Sequence, residues 1–428
     1  MTPKNNREKG KRMNYDDLKD LITERKQELF SCLSDLIRVD SQNFGATGLE
    51  KSLALHLKPL FDALGCETEV YSPLDVPGLT ESEDYLPGRH LEDRANIVAR
   101  FPGIDHSRTL MLTAHLDTVP IGERGNWSFD PLCGEIRDGK IMGRGACDDK
   151  YGIAAVLFLF RLLKEYNLQL PFDLIFTGYC DEEKGGGNGA LAAVMKTPCD
   201  DLLNLDCKNL DIWITGCGGG QLRSHLIAEE TRNTCEHLMP GVQIYLEEMN
   251  KFRQKRHEEL YAYPLFRNTR IPGEAFRLME LRLGGTLSLN RAEIVSSFYC
   301  TADHDTVFRE LAECTDRINE RLKPFRISFD GFTMGARFFR FTESNPNSRV
   351  LSLLSASVKK VTGQEKSGIG SCLSDLPLFI RHGTENAISF GAGRDFAVDG
   401  GAHQLDEYIE CDRFLEFTQI LADFLSCY

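Results

Sequence analysis

Five short segments of the chain each offer one hard metal ligand. They are His115 in Ala114-His115-Leu116-Asp117-Thr118-Val119-Pro120, Asp148 in Gly143-Arg144-Gly145-Ala146-Cys147-Asp148-Asp149-Lys150, Glu183 in Asp181-Glu182-Glu183, Asp206 in Asn204-Leu205-Asp206, and His403 in Gly400-Gly401-Ala402-His403. Two imidazoles and three carboxylates match the needs of two divalent cations sharing one bridging carboxylate, about 3.5–4 Å apart. Glu182 stands beside a ligand and is a candidate for proton transfer. The set predicts metal-assisted hydrolysis.

Each segment has its own logic. In His115-Leu116-Asp117 the imidazole can bind an ion while Asp117 fixes the ring through its second nitrogen. The glycine-rich turn before Asp148-Asp149 lets the backbone approach closely at the start of a helix. On spacing alone either aspartate could be the bridging ligand. Lys150 is expected as a charge partner rather than a catalyst. Glu182 and Glu183 can diverge from an irregular loop, one toward an ion and one toward an attacking water.

The elements that must position these residues follow from apolar spacing. Leu18, Leu21, Ile22, Leu29, Phe30, Leu33, Leu36 and Ile37 recur with helical period, which predicts one amphipathic helix from Tyr15 to Arg38. A second helix is expected from Glu50 to Leu64, a long loop from Ser72 to Glu92, and a buried helix from Gly152 to Tyr166. Short apolar runs predict strands at Asn96–Ala99, Thr109–Thr113, Phe172–Thr177, Leu202–Leu205 and Ala387–Phe390. Each ligand is expected after a strand, with His115 just past the end of its own. In α/β sheets, ligands gather in the crevice outside the carboxyl ends of the strands.

The 428 residues imply more than one domain. The expected division is a disordered tail over 1–14, a catalytic domain over 15–215 and 342–428, and an inserted lid over 216–341. The insert carries a long helix marked by Val242, Tyr245, Leu246, Met249 and Phe252, with strands at Phe276–Leu283 and Ile294–Cys300. The basic run Lys251–His257 is expected on a solvated helix face. A net charge of −14 argues against a nucleic-acid partner. No run of eighteen apolar residues predicts a membrane span. Fourteen scattered cysteines without a Cys-x-x-Cys pair suggest reduced thiols, and a cytoplasmic protein is expected.

In order and spacing, these segments resemble the zinc peptidase/deacylase family that includes acetylornithine deacetylase, succinyl-diaminopimelate desuccinylase, aminoacylase and glutamate carboxypeptidase. The resemblance covers nearly the whole chain and is strongest from Leu110 to Asp206 and from Gly368 to Tyr408. It includes Trp127 to Gly134 (Trp-x-x-Asp-Pro-x-x-Gly) and Gly143-Arg144-Gly145. The segments Leu202–Gly219 and Gly284-Gly285-Thr286 are more similar to the aminoacyl-histidine dipeptidase branch.

The resemblance implies a mostly parallel α/β sheet flanked by helices, of the di-zinc aminopeptidase-like kind, with an inserted α+β lid or dimerisation domain. It implies two Zn2+ ions, with Co2+ or Mn2+ also suited to the donors. His115 and Asp206 would hold one ion, Glu183 and His403 the other, and Asp148 both. A cis peptide would follow Asp148. Glu182 would be the general base and Asp117 the orienter of His115. Asn290, Arg337 and Arg394 are candidates to clamp a substrate carboxylate.

Two features depart from the family pattern. Thr234, with His237 nearby, stands where a lid histidine is usual before a turn like Met239-Pro240-Gly241. Ser297-Phe298-Tyr299 replaces an Asp-x-Arg. The expected activity is hydrolysis of small N-acyl amino acids, as a possible homodimer through the lid. The alternatives are a dipeptidase or carboxypeptidase and, third, a catalytically silent metabolite-binding homologue.

Overall fold

The computed structural model describes residues 11–12, 15–284 and 289–428. Most of the basic tail, and Gly285 and Thr286, lie outside the described residues. Lys11–Arg12 pairs in parallel with Leu168–Gln169, so the tail expected to be disordered is ordered at these two positions. The chain forms two compact units, one of Met1–Trp213, Ser344–Gly368 and Leu378–Tyr428, the other of Ile214–Glu343 and Ile369–Pro377.

The first unit is built on a twisted sheet. Its centre is four parallel strands in the order Ala387–Phe390, Asp201–Asn204, Thr109–His115 and Asp173–Tyr179. Asn96–Phe101 and then Glu67–Tyr71 extend it antiparallel beyond Asp173–Tyr179. Thr109–His115 is buried along nearly its whole length, as expected of a strand covered on both faces. It runs through His115, which pairs with Tyr179, so His115 is the last strand residue rather than the first loop residue.

The helix Lys150–Glu165 packs on this sheet and against the helices Lys26–Ile37 and Cys411–Cys427. Being covered all round, it is apolar almost all round. Gly152 permits its close approach, since a Cβ there would lie 2.9 Å from Leu205 Cβ. The expected helix from Tyr15 to Arg38 is instead two, Tyr15–Glu24 and Lys26–Ile37. Arg25 leaves helical geometry at φ −101° and ψ 19°, and its guanidinium bonds Glu28 and pairs with Glu165. Apolar spacing carries on across this break, so periodicity alone could not reveal it.

The second unit has an antiparallel sheet ordered Phe276–Leu283, Arg291–Cys300, Gly218–Ala228 and Ile327–Phe329. Leu222 and Leu226 from one strand, and Ile294 and Phe298 from its neighbour, join Tyr245 and Met249 of the helix Met239–Ala262 in one core. The helix His304–Leu322 closes it, started by Asp303, whose side chain accepts from Thr306 N. The basic run on Met239–Ala262 is not uniformly solvated. Arg256 is buried, paired with Glu259 (3.0 Å) and Glu310 (2.9 Å) and stacked over Phe252. All fourteen cysteines are free. Among the described residues no helix is long and apolar enough to cross a membrane.

Candidate metal centre

The six residues singled out as ligands and base all belong to the first unit, and its sheet explains how segments so far apart in sequence converge. Three parallel strands end side by side and deliver His115, the Asp181-Glu182-Glu183 turn and Asp206. Asp148 enters from the turn that starts the helix Lys150–Glu165. The loop after Ala387–Phe390 brings His403.

Two triads form around one carboxylate. Ligand atoms of His115, Asp148 and Asp206 lie within 4.8 Å of one another, as do those of Asp148, Glu183 and His403. Asp148 Oδ1 is 3.1 Å from His115 Nε2, and its Oδ2 is 3.2 Å from His403 Nε2. His403 Nε2 is 2.6 Å from Glu183 Oε2, while Glu183 Oε1 accepts from Val119 N at 3.0 Å. Asp149 is fully buried and belongs to neither triad, and the peptide joining it to Asp148 is cis. Spacing left these two aspartates open; the geometry puts Asp148 at the centre.

This donor set suits two divalent ions. Each triad offers one imidazole and two carboxylates, and Asp148 turns one oxygen toward each triad. The electrostatics agree. Burial opposes the charge on Asp148, yet hydrogen bonds to His115 and His403 hold its carboxyl well below the usual range. Burial likewise opposes charge on His403, but Glu183 and Asp148 push it up to about 10. His115 is raised for the same kind of reason, chiefly by Asp148. The carboxylates thus favour positive charge at the centre, and protons and metal ions compete for the same lone pairs.

Asp117 acts differently from the expected relay. His115 Nδ1 donates to the backbone carbonyl of Asp117 at 2.8 Å, whereas the Asp117 carboxylate is 3.8 Å from that nitrogen. The carbonyl thus sets the tautomer and leaves Nε2 for an ion. The carboxylate accepts instead from Glu182 N and Glu183 N, each at 3.0 Å to Oδ2, and from Asn43 Nδ2 at 2.8 Å. Local spacing could not reveal this, because it depends on strands pairing across more than sixty residues.

Lys150 also departs from expectation. Its buried ammonium donates to the carbonyls of Leu36 (3.0 Å) and Val39 (2.7 Å), at the end of the helix Lys26–Ile37, and not to a site carboxylate. Glu407, four residues past His403, accepts from Arg144 Nη1 at 2.5 Å and from Cys147 N at 3.0 Å. It ties the Asp148 loop to the His403 loop. Tyr151 Oη reaches the carbonyls of Leu205 and Cys207 on either side of Asp206. Glu407 and Tyr151 carry no local sequence signal that would mark them, since their partners are distant in the chain.

The three candidate carboxylate clamps are placed as follows. Arg394, in the first unit, pairs with Glu410, donates to the Asp399 carbonyl at 3.1 Å and covers the Tyr408 ring. Arg337, in the second unit, is buried, pairs with Asp375 and lies over Phe339. Asn290 donates to the Ala228 carbonyl at 3.2 Å. Elsewhere in that unit, His237 Nδ1 donates to the Thr234 carbonyl at 2.9 Å.

Comparison with known proteins identifies the family of the chain. The model of peptidase family M20/M25/M40 matches residues 111–426, well over half of the chain. A Bacillus subtilis protein named N-formyl-4-amino-5-aminomethyl-2-methylpyrimidine deformylase is 26% identical over 77% of this chain and 82% of its own. A Staphylococcus aureus protein named as a probable succinyl-diaminopimelate desuccinylase is 23% identical over 94% of this chain and 98% of its own. Human carnosine dipeptidase 1 shares the fold, with a TM-score of 0.72 at 15% identity, over 96% of this chain and 98% of that one. The chain belongs to peptidase family M20/M25/M40 and is a metallohydrolase.

Proposed function

We propose that this protein is a di-zinc hydrolase that cleaves the amide bond of small N-acyl amino acids. The observation that carries the reading is the pair of triads sharing Asp148, with Glu182 next to a member of the second. His115 and Asp206 would hold one ion, Glu183 and His403 the other, and Asp148 both. Two such ions, when bound, supply Lewis acidity toward a carbonyl and lower the pKa of water. Cobalt or manganese would suit the same donors.

The protein's own part is positional and acid–base. Glu182 takes the proton of the attacking water as the new C–O bond forms. It returns that proton to the amine nitrogen as the C–N bond breaks. Asp117 holds the amide of Glu182, and its carbonyl orients His115. Arg394, Arg337 and Asn290 are proposed to receive a substrate carboxylate. The second unit is proposed as the lid and as the contact of a homodimer, and the protein as cytoplasmic.

Relatives named as a deformylase and a desuccinylase support removal of an acyl group. The dipeptidase reading is second, favoured by the likeness of Leu202–Gly219 to the aminoacyl-histidine dipeptidase branch. Rates over matched panels of N-acyl amino acids and free dipeptides separate the two, because only dipeptides carry a free α-amine. Metal content is measured on the same preparations. Glu182→Gln is expected to keep both ions and lose about 10²–10⁴-fold in kcat. A Glu182→Gln protein with both ions and the full rate overturns the base assignment, and a wild type holding only trace metal overturns the ligand set.

A further inference from the structure

The turn that carries Glu182 and Glu183 is unusual in its backbone and in what lies beneath it. Asp181 has φ +67°, a left-handed conformation that costs a non-glycine residue energy and persists only where its surroundings hold it. Its carbonyl accepts from Gly187 N at 2.7 Å, which closes the loop on itself. Its carboxylate points into the protein and is completely buried. Directly below is Arg94, also completely buried, 87 residues away in sequence.

Arg94 reaches the turn by two routes. Nη1 donates to Asp181 Oδ1 at 2.9 Å and to Glu50 Oε1 at 2.7 Å. Nη2 donates to Asn43 Oδ1 at 3.2 Å and to the Gly45 carbonyl. Asn43 in turn donates through Nδ2 to Asp117 Oδ2, and that oxygen accepts from the amides of Glu182 and Glu183. The hydrogen bonds and the short covalent path from Asp181 to Glu182 make a closed ring: Arg94, Asp181, the Glu182 amide, Asp117, Asn43 and back to Arg94. Arg94, Asp181, Asp117 and Asn43 are all fully buried in the first unit.

We infer that Arg94 is a positioning residue that sets the directions of Glu182 and Glu183 through this ring. It is fully buried and belongs to neither ligand triad. A guanidinium suits the task because its planar fork can satisfy four separate acceptors at once, whereas an ammonium is a point charge. The consequence should be large, since displacing a reacting group by about 1 Å can cost about 10²-fold. The inference rests on the proposed roles of Glu182 as base and Glu183 as ligand.

The test compares Arg94→Met, Arg94→Lys and Asp181→Asn with Glu182→Gln in the full chain loaded with metal. Arg94→Met is expected to lower kcat about 10²-fold with KM changed by less than about 3-fold. Arg94→Lys, which keeps the charge but not the fork, should fall between it and the wild type. Should Arg94→Met fail to fold, Asp181→Asn, which keeps the shape and removes the charge, carries the same expectation. In the double variant Arg94→Met/Glu182→Gln, assayed with metal in excess, the further loss should be clearly smaller than the loss Arg94→Met causes in the wild type, because much of the effect of Arg94 runs through Glu182. A purely structural role would multiply the two losses.

A second readout is independent of turnover. Co2+ titration followed by visible absorption should show weaker binding of one of the two ions in Arg94→Met, through Glu183. Folded Arg94→Met or Asp181→Asn with wild-type kcat and wild-type Co2+ affinity overturns the inference, as does a fully multiplicative double variant. Should Glu182→Gln itself keep the wild-type rate, the base assignment falls separately. The Co2+ titration then decides for Arg94, a weakened ion supporting the inference and unchanged affinity overturning it.

Discussion

The pair formed by Glu407 and Arg144 allows a stability prediction worked from geometry. Glu407 is fully buried and Arg144 nearly so, at 3% exposure, and they are joined at 2.5 Å. Arg144 also covers the Trp127 ring at 5.0 Å. Glu407→Gln keeps the shape and an acceptor for Cys147 N but strands the guanidinium without a counter-ion. Breaking a buried pair from one side costs about 3–5 kcal/mol, a large share of a total stability of about 5–15 kcal/mol. Arg144→Met should cost less. Burial already pushes the Glu407 carboxyl up, so without Arg144 it can take a proton, an escape closed to a guanidinium. In the double variant no charge is left buried, and its cost should fall well below the sum of the two singles.

The assay is urea unfolding followed by tryptophan fluorescence. Both tryptophans, Trp127 and Trp213, belong to the first unit, so the signal reports that unit. With a slope of about 2 kcal/mol per molar urea, Glu407→Gln should lower the midpoint by about 1.5–2.5 M. A cost below about 1 kcal/mol for Glu407→Gln, or two single losses that simply add, would refute the argument.

Burial opposes charge on Glu248, but hydrogen bonds to Lys251 (2.7 Å), Arg317 (3.1 Å) and Arg321 (3.0 Å) hold its carboxyl down to about 2. A folded-state pKa below the unfolded value of about 4.3 stabilises the protein above that pH. The gain is lost as pH falls from about 4.3 toward 2. Glu248→Gln should therefore flatten the acid limb of stability for the helix Met239–Ala262, read by hydrogen exchange; an unchanged pH slope would count against the pairing. Gly189→Ala should destabilise by about 1–3 kcal/mol despite its helical position, because the new Cβ would lie 2.0 Å from the Cys180 carbonyl oxygen. A higher melting temperature would show instead that helix propensity dominates.

Much of the fold was legible because burial writes itself into apolar spacing. Strands covered on both faces read as short apolar runs, and the helix Lys150–Glu165 read as a long one. Their order implied an α/β sheet with ligand segments at the strand ends. What periodicity could not contain was any interaction between distant segments. Arg25 at the break meets the distant Glu165, and the buried Arg256 meets the distant Glu310. The same limit applied at the centre.

By itself the sequence determined which residue types stood at which strand ends, and hence the kind of chemistry they could do. Only the tertiary structure decided which atoms meet. It placed Asp148, the aspartate the resemblance named, between two imidazoles, and turned Lys150 away toward the carbonyls of Leu36 and Val39. It gave the Asp117 carboxylate to the amides of Glu182 and Glu183 rather than to His115. The physical reason is that a side chain's type is local, while its hydrogen-bond partners are chosen by strand pairing and by the requirement that buried charges find a counterpart.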